Sequence, residues 1–335
     1  MVTTLLLFFA LTTLIFFSGK NLSLYGDVIA EHYGLGKAWV GLLLIASVTS
    51  LPELTVGISS VTIAQSADLA LGNILGSCVF NLMMLSLLDA FTPKMSVFAK
   101  ASASHTLAGA MSIILFALVG MGLFLSQDIV LYKWIGLGSI IFISIYFLSM
   151  RILYHYEHKL MLQKTDTKPN KPTADTMKLH KAITLFVINA LIVVGAALFL
   201  PNIAKTIAVE TGLGESLVGT LFLAGSTVLP ELAVTIGALR IGAIDLAVGN
   251  LFGSNLFNIL ILAIDDLFYT KGYGLKDASD ANIATVFFLI IMTAIAIAGL
   301  TYRFEQKRFL LAWDALLIGL MYILSLVMLY YLRSG

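Results

Sequence analysis

The sequence predicts an all-α polytopic membrane protein: ten transmembrane helices arranged as two inverted five-helix repeats. Three observations predict it. The first is composition: of 335 residues, 59% are hydrophobic and 12% charged, with a mean hydropathy of +0.97. A soluble domain carries about 25% charged residues. The second is a series of apolar runs at 3–33, 37–64, 68–91, 101–124, 128–150, 181–211, 215–242, 245–268, 280–300 and 308–333. Each is long enough to span a bilayer, which takes about 20 residues. The third is an internal repeat. ASVTSLPEL at 46–54 returns as AGSTVLPEL at 224–232, and DLALGNILGSCVFNL at 68–82 returns as DLAVGNLFGSNLFNI at 245–259. Five spans per half is an odd number, so the second half enters the membrane the opposite way round, as in many secondary transporters.

In chain order, the run LLLFFALTTLIFF has no basic residue before it and no small-residue cleavage site soon after. It reads as a first span, not a signal peptide. The first and sixth spans are long, with polar residues near one end, and are expected to tilt or continue past the bilayer. The first repeat occupies 1–150, with its motif region at 41–91. The second occupies 181–335, with its motif region at 219–268. Between them, 151–180 is the one extended polar segment; seven of the twenty Lys and Arg residues fall in 151–181. The positive-inside rule makes this loop cytoplasmic. Lys37, Lys94, Lys100, Arg240, Arg303, Lys307 and Arg308 fall on the same side, against Lys271, Lys276 and Arg333 outside. Both termini are therefore expected to face out. The single cysteine, Cys78, excludes an internal disulfide.

The proline-glutamate motifs raise the sharpest question. Glu53 and Glu231 lie in apolar spans, where ionised groups are expensive and functional by default. Pro52 and Pro230 lack the N–H that continues a helix. The carbonyls left unpaired are tolerated in a bilayer only if protein, water or an ion satisfies them. A hard cation does so, because it takes oxygen ligands. Thr49, Ser50, Ser226 and Thr227 add hydroxyl oxygens, and the glutamates add the charge. One such stretch could be a kinked helix with a snorkelling acid; two in antisymmetric positions point to an ion site.

In the second motif pair, Asn73, Ser77 and Asn81 fall on one helix side, as do Asn250, Ser254 and Asn258. Gly72 with Gly76, and Gly249 with Gly253, make small-residue faces suited to close helix packing. Packing accounts for the glycines. It accounts less well for an amide or hydroxyl oxygen at every turn, so Asn81 and Asn258 read as ligands, while Asn73 and Asn250 stay open between the two roles. Asp68 and Asp245 read as helix caps. Asp89, Asp265, Asp266, Asp277 and Asp280 read as solvated acids at span ends, and His155, His158 and His180 as part of a solvated loop.

SLPELTVGISS followed by LGNILGSCVFN, and VLPELAVTIGA followed by VGNLFGSNLFN, resemble the two alpha-repeats of the cation/calcium antiporter superfamily, which includes the sodium/calcium exchangers. The resemblance covers nearly the whole chain. It implies four central ion sites arranged as a diamond, with Glu53 and Glu231 as carboxylates shared by calcium and sodium. Thr49 and Thr227 would offer calcium ligands, mainly through backbone carbonyls. Ala46 and Ala224 would supply carbonyls to the outlying sodium sites, helped by Ser77 and Ser254, and Asn81 with Asn258 would complete the middle. Two departures stand out: both middle positions are asparagine, where many sodium/calcium exchangers have one aspartate, and Val228 replaces the hydroxyl present at Ser50.

The expected function is secondary antiport of Ca²⁺ against Na⁺ by alternating access. The alternative is exchange of Ca²⁺ for H⁺, or another divalent for a monovalent cation, at the same site. Two carboxylates repel by about 4 kcal/mol at about 4 Å and an effective dielectric near 20. One Ca²⁺, several Na⁺ or protons can each cancel that charge. A channel would more naturally show rings of identical subunits, and no enzymatic motif stands out in the spans. No cofactor and no nucleic-acid partner are expected. The short central loop implies a multi-pass protein of a prokaryotic inner membrane.

Overall fold

The computed structural model describes residues 2–63, 65–92, 95–125, 130–132, 135–164, 179–210, 227–272, 274–279, 281–303, 307 and 311–333. Helix α1 spans Val2–Tyr33, α2 Lys37–Thr49, α3 Leu51–Thr62, α4 Ala67–Phe91, α5 Val97–Lys100, α6 Ser104–Leu125 and α7 Leu137–Lys164. The second half has α8 Leu179–Glu210, α9 Leu229–Arg240, α10 Ile244–Phe268, α11 Gly274–Asp277, α12 Ala281–Tyr302 and α13 Trp313–Arg333. Among the described residues seven helices are long and apolar enough to cross a membrane, and α2 with α3 makes an eighth as a broken span. Helix α13 is apolar over the shorter stretch Trp313–Leu329. Helix α9 belongs to the span expected at 215–242, of which 215–226 lie outside the described residues. Every expected span thus has a helix at its place.

The repeat is written in the element lengths. Helices α1 and α8 both have 32 residues. Helices α3 and α9 both have 12, α4 and α10 both have 25, and α6 and α12 both have 22. Even the four-residue helices α5 and α11 correspond.

Two details depart from the sequence reading. The helix of the fifth span, α7, starts at Leu137, not 128, and is preceded by two short antiparallel strands, β1 (Val130–Tyr132) and β2 (Ile135–Gly136). It also runs on to Lys164, into the segment expected to be loop. Its polar end continues because it packs: Tyr154 meets the Trp39 ring at 5.3 Å, and Glu157 sits against Gly36, where a Cβ would collide with it. The second departure lies within α2. Val40–Ile45 forms a π-helical turn, with the Ala46 N–H reaching back to the Gly41 carbonyl. Such turns are rare and occur mostly at functional sites.

The chain forms two compact units, 1–49 with 150–253, and 50–149 with 254–335, so each draws on both repeats. In the first unit α1 packs along α8 and across α9. The α1–α9 contact is close: a Cβ on Gly19 would lie 2.8 Å from the Ala233 methyl, and one on Gly237 would lie 2.7 Å from the Lys20 Cα. Ser23 donates to the Val234 carbonyl at 2.7 Å. In the second unit α12 and α13 pack on α4, and α6 packs on α12. Its core includes the fully buried Phe98, Phe116, Leu82 and Met84.

The second unit also corrects the reading of its acids. Asp89 and Asp266 occupy equivalent positions in the repeat, and both are buried, not solvated. Asp89 accepts from the Val97 N–H at 2.9 Å and the Ala312 N–H at 2.8 Å. Asp266 accepts from the Gly274 N–H at 2.8 Å and the Gly136 N–H at 3.4 Å. Each carboxylate thus ties the end of its long helix to the next short helix and to the start of the other repeat's last span. The first N–H groups of a helix have no partner within it, which is why a carboxylate serves here. Their charges are handled differently. Lys307, whose side chain is 4% exposed, pairs with Asp89 at 3.0 Å and donates to the Thr92 carbonyl at 2.8 Å. Asp266 instead receives the Ser139 hydroxyl. Asp265 is buried as well. Asp68 is not the cap of α4; Ser66 is, accepting from the Leu69 N–H at 3.2 Å. Asp68 accepts instead from the Ser279 N–H at 2.9 Å and the Asn282 amide at 2.7 Å.

Removing one partner of a buried ion pair costs about 3–5 kcal/mol. Lys307→Met is therefore expected to lower the thermal unfolding midpoint in detergent sharply, and adding Asp89→Asn to recover part of the loss. A double variant as unstable as the sum of the two singles would contradict the pairing.

Candidate functional site

Helices α3 and α9 begin alike. Ser50 has φ −88° and ψ 7°, and Val228 has φ −87° and ψ 0°. Each is followed by Leu-Pro-Glu, with the proline in the first turn of the new helix. The prolines therefore do more than interrupt a helix, because each starts one. Pro52 leaves the Val48 carbonyl without its helical donor. Glu53 and Glu231 fall in the first turn, where exposed N–H groups and the macrodipole favour negative charge. Both are only 1% exposed. Thr49, Ser50 and Thr227 are buried beside them in sequence. The valine at 228 preserves the backbone of its counterpart and lacks only the hydroxyl.

In the first unit, Ala46, Thr49, Asn250 and Thr235 come together. The Thr49 hydroxyl lies 3.2 Å from the Ala46 carbonyl oxygen and 3.3 Å from Asn250 Oδ1, so two acceptors share its one proton. The Asn250 amide donates to the Thr235 hydroxyl at 3.2 Å. Thr235 follows Glu231 by one turn of α9, so this chain of polar groups reaches the glutamate's own helix. Asn250 thus acts as a polar link. Gly249 and Gly253 do pack: a Cβ on Gly249 would lie 2.5 Å from the Ala38 carbonyl oxygen, and one on Gly253 would strike that of Leu42. Ala224, expected to pair with Ala46, lies outside the described residues.

In the second unit α4 and α10 present Ser77, Asn81, Ser254 and Asn258, all buried. The Asn81 amide donates to Asn255 Oδ1 at 3.1 Å, and the Asn258 amide donates to Cys78 Sγ at 3.6 Å. Asn255 is the repeat counterpart of Cys78, and Asn258 of Asn81, so these two contacts are images of one another. The Cys78 thiol points to the Asn255 carbonyl at 4.0 Å, between them. Each middle asparagine directs an amide N–H to the neighbouring helix. Their carbonyl oxygens, and the hydroxyl oxygens of Ser77 and Ser254, are buried with no hydrogen-bond partner among the described residues. Buried polar atoms are normally satisfied. Four buried oxygens without a hydrogen-bond partner, all on the repeated motifs, suit a cation.

Asn255 and Thr235 escaped the sequence reading, because their part is to hold other side chains and nothing in their spacing marks that. Asn255→Leu removes the acceptor of the Asn81 amide and leaves a buried donor unpaired, a loss of about 1–3 kcal/mol. Its thermal unfolding midpoint should fall accordingly; an unchanged midpoint would show that Asn255 does not hold Asn81.

The family model described as sodium/calcium exchanger protein matches residues 3–155 and 181–331. The chain is 27% identical over 340 residues to the sodium/calcium exchanger MaX1 of Methanosarcina acetivorans, covering 91% of this chain and 92% of that one. It is 26% identical over 273 residues to the inner membrane protein YrbG of Escherichia coli, covering 78% of this chain and 81% of that one. Among solved structures it resembles the sodium-calcium exchanger NCX_Mj soaked with 2.5 mM Na⁺ and 0.1 mM Ca²⁺, with a TM-score of 0.75, 19% identity and 98% of each chain covered. That likeness establishes the fold.

Proposed function

We propose that this chain, which belongs to the sodium/calcium exchanger protein family, exchanges Ca²⁺ for Na⁺ across its membrane by alternating access. The observation that carries the reading is the set of orphaned buried oxygens on Ser77, Asn81, Ser254 and Asn258. They belong to the same repeated motifs as Glu53 and Glu231. In this reading the glutamates supply the negative charge for both ions. The oxygens of Thr49, Thr227, Ser50, Ala46 and Ala224 complete the shells, and Asn81 and Asn258 contribute neutral oxygens. A Ca²⁺ ion cancels two carboxylates at once, and Na⁺ ions cancel them singly. The two loads compete because they share ligands. An empty site is a bare dianion in a low-dielectric place, which disfavours the return of an unloaded carrier.

The moving elements in this reading are α1 and α8, the long pair that pack together. Cysteines placed on either side of Glu231 should change accessibility between Na⁺ and Ca²⁺ conditions. Equal accessibility in every condition would contradict alternating access.

The experiment for the exchange itself is ⁴⁵Ca²⁺ uptake into Na⁺-loaded proteoliposomes, against outward Na⁺, K⁺ or H⁺ gradients. Uptake should follow the Na⁺ gradient. Glu53→Gln and Glu231→Gln should each lower it at least about tenfold, equivalent to about 1.4 kcal/mol. Uptake driven only by the pH gradient would establish proton coupling instead, and uptake without any counter-gradient would establish a channel. Val228→Ser restores the missing hydroxyl and should steepen the Na⁺ dependence of uptake; an unchanged Na⁺ dependence would remove position 228 from the sodium shell.

A further inference from the structure

Another buried acid lies on α10 about two turns beyond Asn258. Asp265, near the end of α10, is 1% exposed. Neither of its carboxyl oxygens has a hydrogen-bond partner among the described residues. It borders a cavity of about 20 Å³ whose lining also includes Val61, Ala70, Leu71, Phe142 and Leu262. That is room for one water-sized occupant, which needs roughly 10–15 Å³. On its far side Asp265 presses against α3: a Cβ on Gly57 would overlap its carboxyl group. The repeat counterparts sharpen the point. Asp265 corresponds to Leu88 and Gly57 to Thr235, so the glycine and the acid arise together in a place that the other repeat builds without either.

Among the described residues, the charged and titratable groups around it give no counter-charge. Asp266 on its own helix and Tyr269 just past that helix's end line the same cavity. Asp266 is an acid already held by the Gly136 and Gly274 N–H groups and the Ser139 hydroxyl. On α3 the same face carries Glu53 one turn from Gly57, about 6 Å along the axis. Helix α4 brings Ala67, Ala70 and Leu71 to the cavity, and its Asp68 is turned to Ser279 and Asn282. Helix α7 brings Ser139 and Phe142, and α11 brings Gly274 and Leu275, while Lys276 and Asp277 of α11 are exposed. Among the described residues, the cavity lining includes no basic residue. An isolated carboxylate in such surroundings neutralises in preference to staying charged.

We propose that Asp265 is a proton-binding site, carried as the neutral acid against Gly57 and distinct from the oxygens of the cation site. The proton comes from the aqueous medium and forms an O–H bond on one carboxyl oxygen. It leaves again to water, with no other bond broken. In the protonated state α3 can lie directly on the acid. Loss of the proton would place a negative charge on the same helix face as Glu53 and demand water or a cation in the cavity.

The test is infrared spectroscopy of the full chain in proteoliposomes at neutral pH, in H₂O and D₂O, which needs no transport. The wild type should show a protonated-carboxyl C=O band that shifts down in D₂O. Asp265→Asn should abolish it, while Glu53→Gln and Glu231→Gln keep it. Gly57→Ala, which crowds the carboxyl with a methyl group, should shift the band, so the test stands even if Asp265→Asn fails to fold. A folded Asp265→Asn protein whose spectrum superposes on the wild type would overturn the proposal. So would a band lost only in the glutamate variants, or one that Gly57→Ala leaves unmoved. None of these outcomes depends on which ions are exchanged.

Discussion

A carboxylate withdrawn from water loses hydration worth several kcal/mol, and the fold must replace it with hydrogen bonds, a counter-charge or a proton. In an apolar bundle this constraint decides where acids can stand and what must stand beside them. Asp89 is met by two backbone N–H groups and the Lys307 ammonium. Asp266 is met by two N–H groups and a hydroxyl. Glu53 and Glu231 sit in the first turn of helices that their own prolines begin. These are distinct answers to one problem. Glu53 and Glu231 are buried and flanked in sequence by the buried hydroxyls of Thr49, Ser50 and Thr227, which suits the proposed exchange, where the acid must release its cation. A fixed lysine partner, as at Asp89, would occupy the acid permanently.

The inverted repeat distributes these answers. Asp89 and Asp266 make the same two backbone contacts in the two halves, and the Asn81–Asn255 contact mirrors the Asn258–Cys78 contact. Where the halves differ, one side chain carries the difference. Val228 keeps the backbone angles of Ser50 and drops its hydroxyl. Cys78 stands where the other copy has Asn255, and Gly57 stands where the other copy has Thr235. Duplication therefore fixes the helices, and single substitutions set the chemistry. That is why the asymmetric positions deserve the closest measurement.

Much of this was legible in the sequence. Among the described residues a helix stands at each span that hydropathy marked, because a bilayer sets the length of an apolar helix. The repeat exposed the glutamates and the Asn-Ser-Asn faces because identical motifs at a fixed offset are improbable without symmetry. The rest was hidden for physical reasons. The π-turn at Val40–Ile45 leaves no compositional mark. Helix α7 runs past its apolar stretch because Tyr154 and Glu157 find tertiary partners. Asp89, Asp265 and Asp266 looked solvated because a span end is ordinarily wet, and only packing shows these to be covered. Lys307 counted toward orientation as a loop charge, yet it is an internal counter-ion. Asn255 and Thr235 act by holding other residues, which spacing alone does not reveal.

In the proposed exchange Ca²⁺ and Na⁺ occupy the same oxygens in turn. Equilibrium ⁴⁵Ca²⁺ binding to the purified protein, titrated with Na⁺, tests it most directly. Competition at shared ligands predicts that Na⁺ raises the apparent Kd for Ca²⁺ while the number of binding sites at saturation stays constant, with binding weakened in Glu53→Gln and Glu231→Gln. A fall in saturation at constant Kd, or Ca²⁺ binding indifferent to Na⁺, would contradict it.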